Sequence, residues 1–82
     1  MFEDGWQRLT LAQRAVLRAV VLEDGRELLG AGVRDRHRLP SASSVQSSLA
    51  ALVRADLVAR DGPKRYVLVD SLFREWVARQ TY

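Results

Sequence analysis

The chain has 82 residues, 48% hydrophobic and 28% charged, with a net charge of +3 and no cysteine. A chain of this length holds one modest core, its apolar content is enough for a packed globule and argues against disorder, and the lack of cysteine excludes disulfides and thiolate metal sites. Apolar runs such as Ala19 to Leu22 and Leu49 to Val53 are far too short to cross a bilayer, and the acidic, Gly5-broken start "MFEDGWQRLT" has the wrong chemistry for a signal peptide. The expectation is a single soluble domain over residues 1–82, cytoplasmic and without membrane contact.

The first predicted helix begins at Thr10, a capping residue with Gln13 at the spacing of a capping box. Leu9, Ala12, Val16, Leu17, Val20 and Val21 fall on one apolar face, and Arg14 and Arg18 lie a turn apart on the other. Gly25 supplies the left-handed residue that follows a helix, so this one should end near Asp24. Gly30 and Gly32 argue against a continuous helix through the next segment. A short extended piece at Glu27 to Leu29 is expected there, then a short helix from Ala31 to Arg38, stopped by the restriction that Pro40 places on Leu39.

The next helix opens in "PSASSVQSS". Ser41 or Ser43 can cap it, and Ser43 and Gln46 repeat the capping-box spacing. Val45, Leu49, Leu52 and Val53 should face inward, leaving Ser44, Gln46, Ser47, Ala50 and Arg54 outward or flanking. "LVAR" (Leu57 to Arg60) and "RYVLV" (Arg65 to Val69) flank the turn signal "DGPK" and read as a β-hairpin. "DSLFREWVARQ" reads as a last helix capped by Asp70 or Ser71, with Leu72, Phe73, Trp76 and Val77 on one face. Trp6, Phe73 and Trp76 are read as core joining the two ends of the chain.

Helix, short helix, helix, hairpin, helix is the order of a winged helix-turn-helix. The fold class is α+β, mainly α: a three-helix core, a β-hairpin wing and a C-terminal helix.

In that architecture the second helix of the motif enters the major groove, its first turns toward the base edges. Recognition helix 41–55 would then bring Ser43, Ser44, Gln46 and Ser47 to duplex DNA, with Arg54 farther along. Glutamine can pair with adenine, and serine hydroxyls serve bases or phosphates. Wing 58–69 carries Lys64, the only lysine of the chain, and Arg65. Arg34, Arg36 and Arg38 precede the turn and could flank the groove. The alternative partner is a protein, because a small polar face rich in serine and alanine can also lie flat against another surface.

Catalysis is not expected. His37 is the only histidine and reads as a solvent-exposed side chain in "RDRHR". The carboxylates are scattered and the serines have no base nearby, so no cofactor, metal or catalytic residue is assigned.

"WQRLTLAQRAVLRAVVLEDG", "LPSASSVQSSLAALVRADLVARDG" and "YVLVDSLFREW" together resemble the winged-helix domain that follows the P-loop ATPase core in many archaeal and bacterial ATPases. The likeness runs almost end to end. It includes the "LT-x-x-Q-R" helix start, a Ser-Ser-Val-Gln recognition helix and a closing box kept here at Asp70, Phe73 and Trp76. Ser71 stands where that box has proline, and Ser47 where related domains often carry a basic residue. The resemblance implies an accessory C-terminal domain whose partners are DNA, the ATPase core or another protein, with a docking face that would favour homodimers when isolated. The chain itself has no G-x-x-x-x-G-K-[ST] phosphate loop.

Overall fold

In the computed structural model, which describes residues 2–62 and 65–80, the elements run α1 (Phe2–Gln7), α2 (Leu11–Leu22), α3 (Ala31–His37), α4 (Ala42–Arg54), β1 (Val58–Arg60), β2 (Tyr66–Leu68) and α5 (Ser71–Ala78). The strands form a two-stranded antiparallel hairpin with Val58 opposite Leu68, Ala59 opposite Val67 and Arg60 opposite Tyr66. This is the mainly α winged helix-turn-helix arrangement, with α2, α3 and α4 as the three-helix core.

The capping box at the head of α2 forms as its residue types require. The Gln13 amide donates to the Thr10 hydroxyl and the Thr10 amide to the Gln13 side chain, both at 3.0 Å. Val16, Leu17, Ala19, Val20 and Val21 are its buried residues. They meet Val45, Leu49 and Leu52 of α4, Phe73 and Val77 of α5, and Val58 and Leu68 of the hairpin in one apolar cluster. Leu28 and Val33 close that cluster from the α3 side.

Several expectations need correction. Residues 2–7 form a helix that no local signal in the sequence predicts. Six residues interrupted by Gly5 cannot nucleate a helix alone, so tertiary contacts hold α1. Trp6 is buried, and its ring meets Trp76 edge-on at 5.7 Å while Trp76 stacks on Phe73 at 5.9 Å. Arg14 donates from Nε to the Trp6 carbonyl at 3.0 Å and from Nη2 to the Gln7 carbonyl at 3.1 Å, satisfying the open end of α1. Arg14 and Arg18 are accordingly half-buried rather than on a solvent face.

No strand forms at Glu27 to Leu29. Glu27 has φ 55° and its carbonyl accepts from the Gly30 amide at 2.9 Å, so the segment is a chain of turns. The first long helix stops at Leu22, two residues early, because Asp24 as well as Gly25 is left-handed (φ 56° and 74°). Arg38 is left-handed too (φ 54°) and caps α3 instead of belonging to it. Ala12 and Leu72 are exposed. Each sits at the margin of a helical stripe, where apolar spacing does not separate buried from open positions.

Candidate nucleic-acid interface

The front of α4 is held by Ser41. Its hydroxyl accepts from the Ser44 amide at 3.4 Å and lies 3.2 Å from the Ser43 hydroxyl and 3.3 Å from that of Ser44. Ser43 therefore sits inside the first turn, and the Ser43 and Gln46 spacing does not act as a second box. Val45, Ser48, Leu49 and Leu52 are the buried residues of α4, while Ser43, Ser44, Gln46, Ser47, Ala50 and Arg54 are exposed. A helix pinned from behind by aliphatic side chains thus offers a polar forward face. Arg54 and Arg38 have no side-chain hydrogen bond or ion pair among the described residues.

The other basic residues singled out in the sequence are differently placed. Arg34 is half-buried and donates from Nε to the Leu29 carbonyl at 3.2 Å. Arg36 Nη1 donates to both carboxylate oxygens of Glu23, at 3.0 and 3.1 Å. Arg65 is held three ways. Nε donates to the Asp24 carbonyl at 3.2 Å, Nη2 pairs with the Asp24 carboxylate at 3.1 Å, and Nη1 pairs with Asp61 at 2.6 Å. Lys64 lies outside the described residues.

His37 is a further correction, since its side chain is only 13% exposed. Its Nε2 lies 2.8 Å from Glu23 Oε2, beside the Arg36 pair.

Two acidic residues missed by the sequence reading thus organise this region. Glu23 is the C-cap of α2 and Asp24 follows it. The carbonyl end of a helix carries partial negative charge, so consecutive carboxylates there are unfavourable unless cations answer them. "LEDG" was therefore the available signal. The Arg36 guanidinium answers Glu23, to which His37 is also hydrogen-bonded, and Arg65 answers Asp24. The next link is the Tyr66 amide, which donates to the Gly25 carbonyl at 3.1 Å and ties the wing to the same corner.

The hydrogen bond from His37, followed by the charge of Arg36, holds the Glu23 carboxyl below the ordinary glutamate range. A depressed folded-state value adds stability above the unfolded value, near 4.3, and that stability is lost as pH falls through the folded one. Thermal melts from neutral to acid should therefore show the stability difference between wild type and Glu23→Gln shrinking below about pH 4.3. A difference that stays constant into acid would assign the loss to something other than this carboxylate.

A groove of about 520 Å³ separates the front of α2 from the end of α3. Its lining is Leu11, Ala15 and Arg18 from α2 with Arg36, His37 and Arg38. The structure thus brings Arg36 and Arg38 together with Arg18, whose position one turn beyond Arg14 on α2 carries no such signal in the sequence. Among the described residues no group of three or more His, Cys, Asp or Glu side chains could hold a metal ion, and no helix is long and apolar enough to cross a membrane.

A family model described as "Probable winged helix domain" matches residues 1–79. No curated protein and no solved structure matches the chain.

Proposed function

The chain belongs to the winged helix domain family, and we propose on that premise that it is a non-enzymatic, cytoplasmic module that binds duplex DNA through the forward face of α4. The observation that carries this reading is the exposure of Ser43, Ser44, Gln46 and Ser47 on the leading turns of a helix whose opposite side is fully packed. Such a face suits the major groove, with Gln46 able to pair with adenine and the hydroxyls serving bases or phosphates. Arg54 and Arg38, together with Lys64, supply phosphate contacts. Arg34 and Arg65 act chiefly inside the fold, and Arg36 shares its guanidinium with Glu23. Because only a few cations are available, affinity is modest and rests largely on phosphates.

The test is fluorescence anisotropy with a duplex over a salt series. The slope of log affinity against log salt is expected at about −0.9 per phosphate neutralised, and Arg54→Ala should reduce its size by about 1. Gln46→Ala should change sequence preference while nonspecific affinity stays the same. Absence of duplex binding even at low salt refutes the proposal.

A second reading is favoured by one observation. Val69 and Leu72, 60% and 65% exposed, leave apolar surface where the wing meets α5. Together with the resemblance of "LTLAQR" and of Asp70, Phe73 and Trp76 to ATPase-associated domains, this supports docking on a P-loop ATPase core, on another protein or on a second copy. Saturable binding to such a core that duplex DNA does not affect would select it.

A further inference from the structure

α1 is held in place by residues far from it in sequence. The Trp6 ring lies edge-on to Trp76 at 5.7 Å, and Arg14 donates to the Trp6 and Gln7 carbonyls at 3.0 and 3.1 Å. A six-residue helix interrupted by Gly5 has no stability of its own, so α1 forms on that seat and unravels when it leaves. Its departure breaks the turn at Arg8 and Leu9, whose amides donate to the Asp4 and Trp6 carbonyls at 3.2 and 3.1 Å. The capping box of Thr10 and Gln13 belongs to α2 and is untouched. α1 is therefore a unit that opens locally while the rest stays folded.

We propose that α1 exchanges between two copies of this chain, each placing its Trp6 against the Trp76 of the other and its last carbonyls on the other's Arg14. The closed form already shows that this segment fits the seat. Reciprocal exchange repeats each of those contacts, so what opposes it is the loss of freedom on association. Charge favours the same occupant. Residues 1–7 hold Glu3 and Asp4 with no lysine or arginine, whereas all 13 basic residues and eight of the ten acidic ones follow, a balance of +5. Leu11 supplies a further gain. It is 73% exposed and directly follows the connection Arg8 to Thr10, which would run from one copy to the other. That connection spans only about 10 Å when extended, which brings the two α2 starts together and lets each Leu11 be covered. The short tether gives a chain's own α1 a local concentration of millimolar order, so the closed monomer prevails in dilute solution and exchange sets in at about 0.1–5 mM. This contact uses neither the α4 face nor Val69 and Leu72, and it stands or falls separately from DNA binding.

The experiment is sedimentation velocity of the full chain over a concentration series up to about 2 mM, within the range where exchange is expected. A mixture of isotope-labelled and unlabelled chain is examined at the top concentration for nuclear Overhauser contacts between copies. A reversible dimer is expected, with cross-copy contacts between the Trp6 and Trp76 rings. Trp6→Ala should remain monomeric throughout. Leu11→Ser should weaken the dimer about three- to tenfold, given the apolar area that its cover removes from water. Leu72→Ser should leave it unchanged. A wild type that stays monomeric at the top concentration overturns the proposal, and so does a dimer without ring contacts between copies. A dimer that survives Trp6→Ala but dissociates with Leu72→Ser would assign association to the surface beside the wing instead. Should Trp6→Ala fail to fold, the cross-copy ring contacts of the wild type decide alone.

Discussion

Gly25→Ala is expected to destabilise the fold by about 3–4 kcal/mol, lowering the melting temperature by roughly 15–25 °C in a domain of this size. Gly25 has φ 74°, a conformation that costs an L-residue about 1–2 kcal/mol. The larger effect is steric. A Cβ built there would stand 1.7 Å from the Tyr66 carbonyl oxygen and 2.8 Å from its carbon. Those atoms belong to β2, so relief requires the hairpin backbone to retreat from the end of α2. Retreat breaks the Tyr66 to Gly25 hydrogen bond and pulls Arg65 from Asp24. Gly62→Ala is the matched control: φ is 90°, but its Cβ would meet nothing within 4 Å. Circular dichroism melts should show that control losing only the conformational term, about 1–2 kcal/mol. If both variants melt within a few degrees of each other, the close approach of wing and helix does not constrain the fold.

Leu17→Ala ranks second, with an expected loss of about 3–5 kcal/mol. Leu17 is wholly inaccessible and lies on α2, which packs on α3, α4, α5 and β2. The truncation therefore opens a cavity that no single neighbour can collapse into, and the transfer and cavity costs add. Small domains have little reserve, so a loss of this size should leave a measurable unfolded fraction at ambient temperature. Leu11→Ala on the exposed side of the same helix should change the denaturant midpoint by at most about 0.5 kcal/mol equivalent. Similar midpoints for both variants would mean that α2 is not the central element of the core.

The elements legible in the sequence were those whose signals are local. Thr10 with Gln13, the aliphatic spacing of α2 and α4, and the Gly and Pro between two β-branched runs each act within a few residues. They placed the helix-turn-helix and the wing. What escaped depends on distant partners. α1 exists because Trp6 finds Trp76 and because Arg14 reaches back to its carbonyls, contacts that no short window contains. The extended piece at Glu27 to Leu29 failed because Glu27 adopts a left-handed conformation that nothing in its residue type demands.

The candidate site divides the same way. The outward placement of Ser43, Ser44, Gln46, Ser47 and Arg54 followed from helical phase. The engagement of Arg36 and His37 with Glu23 and of Arg65 with Asp24 did not, because these carboxylates lie 13, 14 and 41 residues away in sequence. A run such as "RDRHR" reads as a free cationic patch until the fold supplies Glu23.

The bend at residues 23–25 touches α3 through Arg36 and His37 and the hairpin through Arg65 and Tyr66. α3 and the hairpin therefore inherit their bearing from one three-residue pivot. A foreign hairpin grafted between Asp61 and Arg65 would keep the native aim, since direction is imposed at its base. Altering the pivot would swing the wing and α3 together without changing any side chain that meets a ligand.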